Sequence, residues 1–177
     1  MPFQTTAEDS VGPYSYAEVG ATRQDSLPPG YRHLRYRSRI GDAAVFRAAA
    51  EAVLTFAPQR AAGVLIEAAG PRAVEGLVVT SRLGAGPLRI PAPCRVVWAE
   101  DTPTRAGFGY GTLPGHPVRG EESFVVEVAG GAVWFSMRAF SRPDRWFTTA
   151  AGPLVPAFQQ AYARLLAHTL RKLVARR

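Results

Sequence analysis

Residues 105–140 read RAGFGYGTLPGHPVRGEESFVVEVAGGAVWFSMRAF. Apolar and aromatic side chains recur here at period two, which is typical of antiparallel strands with one buried face. The Gly130-Gly131 pair predicts a tight hairpin turn. We therefore predict strands over 105–113, 121–128 and 132–140.

Shorter apolar runs, divided by glycine and proline, precede this stretch. They predict strands near 74–82, 86–91 and 93–100. Arginines alternating with apolar residues predict a further strand over 31–40.

Helical patterns flank these strands. Asp42 is a suitable N-cap for an amphipathic helix over 43–57, which Pro58 should end, and a second short helix is predicted near 59–62. From Pro153 onward a long helix is predicted, with its apolar residues on one stripe. The members of that stripe are Leu154, Phe158, Ala161, Tyr162, Leu165, Thr169 and Leu173.

The order of elements predicts an α+β protein. It has a curved antiparallel sheet of about six or seven strands gripping a long C-terminal helix, with one or two short helices after the first strand. This is the order of the helix-grip fold. We expect a flexible tail over 1–13 and a single domain over 14–177, which includes an N-terminal arm over 14–30.

The composition is that of an ordinary globular protein, with 177 residues, 47% apolar and 20% charged. No apolar run is long enough to span a bilayer and no secretory signal is visible, so we expect a cytoplasmic protein. Cys94 is the only cysteine, which excludes an internal disulfide and a cysteine-rich zinc site. We expect no cofactor and no metal.

The net charge of +7 is unevenly distributed, because residues 145–177 hold five Arg, one Lys and no acidic residue. Cations near a helix C-terminus are stabilised by the helix dipole, so a solvated helix end explains the excess. Binding of an anion or of nucleic acid by this basic helix is the alternative, and we do not expect a nucleic-acid partner.

The loop after the glycine-rich strand contains the candidate catalytic residues. An imidazole beside a carboxylate is a common general-base arrangement, and His116 could pair with Glu121 or Glu122. The simpler interpretation is a hairpin loop whose polar groups bond one another and water. The spacing is not specific for a metal site.

The predicted inner face of the sheet, with the last helix, carries large apolar side chains. They form either a filled core or the wall of a ligand cavity between the sheet and the helix. The candidate ligand-binding residues are Trp98, Phe108, Tyr110, Phe124, Phe135, Met137, Phe158 and Tyr162.

Three alternating glycines, Gly107, Gly109 and Gly111, lie in one predicted strand. Their spacing does not match a dinucleotide-binding loop, which needs G-x-G-x-x-G before a helix. Glycines on one face of a strand instead allow another backbone or an aromatic ring to approach closely.

Several stretches together resemble a known family. They are 16–23 (YAEVGATR), 27–31 (LPPGY), 84–96 (GAGPLRIPAPCRV), 107–124 (GFGYGTLPGHPVRGEESF) and 135–143 (FSMRAFSRP). In these the chain resembles uncharacterised protein family 0548 of bacteria and plants, which is similar to the START-like helix-grip superfamily.

The resemblance implies a hydrophobic pocket but no catalytic residue, because the family has no established reaction. It also implies an arm packed on the domain, since Tyr16, Gly20, Thr22 and Arg23 match the first motif.

The leading functional hypothesis is binding of a small apolar or amphipathic molecule in a cavity between the sheet and the C-terminal helix. An enzyme of the polyketide-cyclase or hydrolase type, using His116 with Glu121 or Glu122, comes second. The basic helix as an anion or nucleic-acid site comes third. On balance we expect no enzyme.

Overall fold

The period-two pattern produces one antiparallel sheet in the computed structural model, which describes residues 13–84, 89–144 and 154–176. Its seven strands lie in the order β1-β7-β6-β5-β4-β3-β2. The strands are β1 (Arg32–Asp42), β2 (Leu65–Ala68), β3 (Val78–Leu83), β4 (Ile90–Asp101), β5 (Arg105–Thr112), β6 (Val118–Ala129) and β7 (Ala132–Pro143).

The described residues form two short 3-10 turns and three α-helices. The 3-10 turns are Ala21–Arg23 and Ala43–Val45, and the α-helices are α1 (Phe46–Leu54), α2 (Ala57–Ala61) and α3 (Leu154–Val174). The curved sheet, the short helices after β1 and the long C-terminal helix confirm the predicted α+β helix-grip fold. No helix among the described residues is long and apolar enough to cross a membrane.

The hairpin between β6 and β7 forms where the sequence predicts it. Gly130 and Gly131 both have positive φ, at 58° and 74°, and Ala129 pairs with Ala132 across the turn. Two consecutive residues with positive φ are what a tight hairpin requires, and glycine adopts this conformation without a steric penalty.

The predicted helix over 43–57 is divided in the structure. A 3-10 turn opens it, α1 ends at Leu54, and α2 restarts at Ala57 with Pro58 in its first turn. The two helices are separated at Phe56, which has φ 59° and is fully buried. A left-handed conformation is unfavourable for phenylalanine, so burial of the ring has to compensate for it.

Strand β4 is continuous, whereas the sequence predicts two strands over 86–91 and 93–100. Residues 85–88 lie outside the described part of the chain. Pro93 has no amide hydrogen to donate to β5, and the pairing of β4 with β5 begins only at Cys94. The Pro93 carbonyl still accepts a hydrogen bond from the Leu113 amide at the end of β5. Strand β2, with four residues, is not predicted at all.

The prediction that Trp98 faces inward with Val96 is wrong. The register of β4 on β5 shifts between these two residues, where a β-bulge inserts Val97. A bulge sends the following side chains to the opposite face of the sheet. Trp98 therefore lies on the outer face, which we define as the face not covered by the α-helices.

The core lies on the inner face, under α1, α2 and α3. Phe108, Phe124, Phe135 and Met137 are buried there, and the rings of Phe56 and Phe108 pack edge to face at 5.1 Å between centroids. This part of the inner face is a filled core, so four of the candidate ligand-binding residues have a packing role.

The buried face of α3 differs from the predicted stripe. Its fully buried residues are Ala163, Leu166, Ala167 and Leu170. Phe158 and Leu165, both in the predicted stripe, are 67% and 45% exposed. The two alanines allow the helix to approach its neighbours closely, which a stripe chosen by side-chain size does not reveal. The side chain of Leu154 lies outside the described part of the structure.

The N-terminal arm packs on the outer face, as its motif implies. Residues 1–12 lie outside the described residues, so the predicted tail over 1–13 and the domain limits stay predictions. Tyr16 stacks edge to face on Phe140 at 5.6 Å, and Arg23 lies over the Trp98 ring at 5.7 Å.

A buried carboxylate holds the arm in place. The Tyr16 hydroxyl and the Gly20 amide each donate to Glu121 Oε2 at 2.7 Å. The Thr22 amide donates to Oε1 at 2.9 Å, and the Thr22 hydroxyl donates to the same oxygen. Each carboxylate oxygen of Glu121 therefore accepts two hydrogen bonds. Burial and the neighbouring Glu121 carboxylate raise the pKa of Tyr16.

The alternating glycines provide the space for this contact. A Cβ at Gly109 would lie 2.4 Å from the Trp98 indole nitrogen, and one at Gly111 would lie 2.0 Å from the Tyr16 hydroxyl. Side chains cannot approach that closely, so the close-approach interpretation of the glycines is confirmed.

We predict that Glu121→Gln destabilises the protein by about 2–4 kcal/mol, because an amide nitrogen would face donors that now bind a charged oxygen. Urea denaturation measures the change as a lower midpoint. The matched control is Glu127→Gln on the same strand, where a half-buried carboxylate pairs with Arg37 and Arg105 and the cost should stay below about 1 kcal/mol. Equal midpoints for the two variants would show that Glu121 does not anchor the arm.

Two neighbouring leucines test the face of α3. Leu166→Ala should lower the free energy of unfolding by about 2–5 kcal/mol, because it opens a cavity in the core. Leu165→Ala, at a 45% exposed position, should cost under about 1 kcal/mol. Thermal or urea denaturation measures both changes. If Leu165→Ala lowered the free energy of unfolding more than Leu166→Ala does, the predicted stripe would be the buried face of α3.

Candidate functional site

A cavity of about 240 Å³ opens on the inner face, beyond the filled core. Strands β3 to β7 form one wall, and the first half of α3 and the loop before β6 close the other sides. Small side chains leave the space open, because Ser81, Ala92, Cys94 and Ala139 occupy inward positions in this part of the sheet.

Aromatic side chains from β5 and α3 border the cavity. Tyr110 reaches the cavity from β5, and Phe158 and Tyr162 reach it from α3. The rings of Phe158 and Tyr162 are parallel, with centroids 6.4 Å apart. These three of the eight candidate ligand-binding residues line the cavity. Phe108, Phe124, Phe135 and Met137 lie in the core, and Trp98 lies on the outer face.

Glu122 places a carboxyl group in this apolar surrounding. It is the cross-strand partner of Tyr110, whose hydroxyl donates to Glu122 Oε2 at 3.1 Å. Burial raises the pKa of Glu122 to about 7, and the hydrogen bond from Tyr110 opposes this only in part. The Glu122 carboxyl can therefore gain or lose a proton near neutral pH.

Other groups around the cavity are held in their neutral forms. Burial and the nearby Glu122 carboxylate raise the pKa values of Tyr110, Tyr162 and Cys94. A buried cysteine with a raised pKa is a thiol, so Cys94 provides no activated nucleophile.

His116 borders the cavity but does not form the predicted pair with a glutamate. Its Nδ1 lies 2.9 Å from the Val118 carbonyl oxygen and 3.1 Å from the Val118 amide nitrogen. Burial lowers the pKa of His116 to about 4, so the ring is neutral at pH 7. Between the described side chains of His116, Glu121 and Glu122 there is no hydrogen bond.

Glu121, the second candidate catalytic residue, has a structural role on the outer face. It precedes Glu122 on β6, so its side chain points to the outer face, where the arm occupies both oxygens. A carboxylate with all its acceptor capacity in use cannot accept a substrate proton. Of the three candidates, Glu122 has the position and the protonation equilibrium for chemistry in the cavity.

The basic helix end contributes to the fold. Arg171 donates to the Arg39 carbonyl at 3.0 Å and to the Ser38 hydroxyl at 2.5 Å, which ties α3 to β1. Arg171 is therefore not part of a free basic surface.

Sequence reasoning missed the small residues that create the cavity. The sequence does contain a signal for the cavity. Ala92 and Ala139 are small side chains at inward strand positions, whereas the inward Phe108 and Phe124 on the neighbouring strands are large. In the described ranges no three His, Cys, Asp or Glu side chains are grouped to hold a metal ion.

Solved structures share the fold at low sequence identity. A hypothetical protein from Helicobacter pylori matches with a TM-score of 0.63 and 9% identity, covering 81% of this chain and 89% of its own. Norcoclaurine synthase from Thalictrum flavum, in complex with dopamine and hydroxybenzaldehyde, matches with a TM-score of 0.57 and 12% identity, covering 86% and 97%.

Sequence comparison gives the family. The domain of unknown function DUF1990 matches residues 15–169. A UPF0548 protein from Deinococcus radiodurans is 40% identical over 172 residues, which cover 90% of this chain and 85% of that protein. The resemblance found in the sequence motifs is thereby confirmed, and the chain belongs to the uncharacterised UPF0548 family, with a domain of the DUF1990 type.

Proposed function

We propose that this protein binds a small, mostly apolar molecule that carries a polar group, in the cavity between the sheet and α3. The observation that carries the proposal is the lining of the cavity. Small residues leave a space of about 240 Å³, the rings of Tyr110, Phe158 and Tyr162 border it, and the Glu122 carboxyl group lies in it. Ligand sites in proteins combine an apolar wall with a few placed polar groups in this way.

The fold supports the same proposal. The norcoclaurine synthase structure that shares it holds two small aromatic molecules, dopamine and hydroxybenzaldehyde. A curved sheet that grips a helix can leave a concave space between the two elements. Here the space lies beside α3, beyond the part that Phe108 and Phe124 fill.

Proton transfer on the bound molecule is a second candidate function, and the environment of Glu122 favours it. A general acid or base works best when its pKa is close to the working pH, and burial raises the pKa of Glu122 to about 7. In this candidate mechanism Glu122 acts without His116, whereas the sequence predicts His116 paired with Glu121 or Glu122. Tyr110 holds the carboxyl group through its hydrogen bond at 3.1 Å.

Titration with 1-hexanol, followed by amide chemical shifts in nuclear magnetic resonance spectra, tests the binding proposal. We expect the largest shifts at Cys94, Tyr110 and Tyr162, because these residues line the cavity. Ala92→Phe should weaken binding at least tenfold by filling the space, and Ser81→Leu provides a second filling variant.

The control for these variants is Leu65→Phe, at an exposed position on β2. It should bind 1-hexanol as the unmodified protein does. Shifts scattered over the surface, or undiminished binding by both folded filling variants, would contradict the proposal.

The stability of the protein should depend on pH through Glu122. Its pKa is 4.5 when unfolded and about 7 when folded, so the folded state binds the proton more tightly. This contribution is fully present below pH 4.5 and is lost as the pH rises through 7. Relative to Glu122→Gln, the unmodified protein should lose about 2 kcal/mol between pH 5 and pH 8.

Urea denaturation of both proteins at the two pH values measures this difference. Glu127→Gln serves as the control for loss of a carboxylate elsewhere on β6. If the stability difference between the unmodified protein and Glu122→Gln is the same at both pH values, the folded protein does not raise the pKa of Glu122.

A further inference from the structure

The charge around the cavity is unbalanced. Glu122 is the acid whose carboxyl group faces the cavity, and no described lining residue carries a positive charge to match it. His116, from the loop before β6, is neutral because burial lowers its pKa to about 4. The other titratable groups facing Glu122 are Tyr110 from β5, Tyr162 from α3 and Cys94 from β4, and all three are held neutral.

The hydrogen bonding of Glu122 is also incomplete. Tyr110 donates to Oε2, whereas Oε1 accepts no hydrogen bond from the described residues. A carboxylate oxygen can accept more than one hydrogen bond, so the group has capacity for a further donor. Glu121 shows the contrast, since each of its oxygens accepts two hydrogen bonds.

The aromatic walls favour the same kind of ligand. Tyr110, Phe158 and Tyr162 border the space that contains the carboxyl group. The face of an aromatic ring attracts a cation electrostatically, most strongly where water is excluded. A carboxylate together with aromatic rings, with no cation among the described lining residues, is complementary to an organic cation and opposes an anion.

We propose that Glu122 binds the positively charged group of the ligand, and that the ligand is an organic ammonium compound whose apolar part lies against Tyr110, Phe158 and Tyr162. This inference rests on the proposed ligand-binding function and names the chemical class of the ligand. The ammonium group donates to Glu122 Oε1, and Tyr110 continues to donate to Oε2.

Three probes of matched length test the inference: n-hexylammonium, 1-hexanol and hexanoate. Calorimetric titration at pH 8 should give a dissociation constant for n-hexylammonium at least tenfold below that for 1-hexanol, with hexanoate weakest. Between pH 5.5 and pH 8 the affinity for n-hexylammonium should rise at least tenfold, because only the ionised form of Glu122 attracts it. The affinity for 1-hexanol should not rise.

The variant Glu122→Gln keeps the shape of the side chain and removes the charge. It should bind n-hexylammonium and 1-hexanol with similar affinity and without the pH dependence. Glu127→Gln, whose carboxylate lies on the outer face, should retain the full preference for n-hexylammonium. Unchanged binding of 1-hexanol by Glu122→Gln shows that the cavity is intact in the variant.

The outcomes separate the two proposals. Binding of 1-hexanol in the cavity with no preference for n-hexylammonium would overturn the ammonium inference and leave the proposed function standing. A preference that survives in Glu122→Gln would overturn it as well, because the charge would then come from elsewhere. Failure of all three probes to bind would overturn the proposed function itself.

Discussion

Side-chain alternation along β6 sends two consecutive carboxyl groups to opposite faces of the sheet, and the rest of the structure depends on this constraint. Glu121 points outward and holds the N-terminal arm through four hydrogen bonds. Glu122 points inward, and Tyr110 is its hydrogen-bond partner in the cavity. A slip of one residue in the register of β6 would exchange the two groups, so arm and cavity are specified together.

The cavity exists because side-chain size is distributed unevenly over the inner face. Phe108 and Phe124 fill the space beside α1, where Phe108 packs against both Phe56 and Phe124. The inward positions of the other part are small, as at Ala92 and Ala139. The same strands therefore provide a rigid core and an open site, and the core holds the site in shape.

Much of the fold could be predicted because period-two alternation and glycine turns are local signals. The hairpin at Gly130-Gly131 and the strand that carries Gly109 follow from them. The position of Trp98 could not be predicted, because a bulge adds one residue to β4 and inverts the pattern after it. A bulge depends on pairing with the neighbouring strand, which a single sequence does not display.

The site was predicted less completely than the fold, for a related reason. The sequence places Glu121 and Glu122 side by side, but only their contacts distinguish a structural carboxylate from one in a cavity. The face of α3 shows a similar difficulty. Ala163 and Ala167 are buried because they allow close packing, while the larger Phe158 remains exposed. Hydrophobic size alone is a poor guide where close approach of elements decides burial.

Among the described strands, β1 and β2 form the two edges of the sheet. Unpaired strand edges are the surfaces through which β-proteins add further strands and aggregate. The edge at β2 is only four residues long. The edge strand β1 carries exposed arginines, and its register shifts between Arg39 and Gly41. The Arg39 carbonyl accepts a hydrogen bond from the Arg171 side chain. Charge, irregularity and a covering side chain all disfavour pairing with another chain, so the edges of this sheet are protected against intermolecular strand addition.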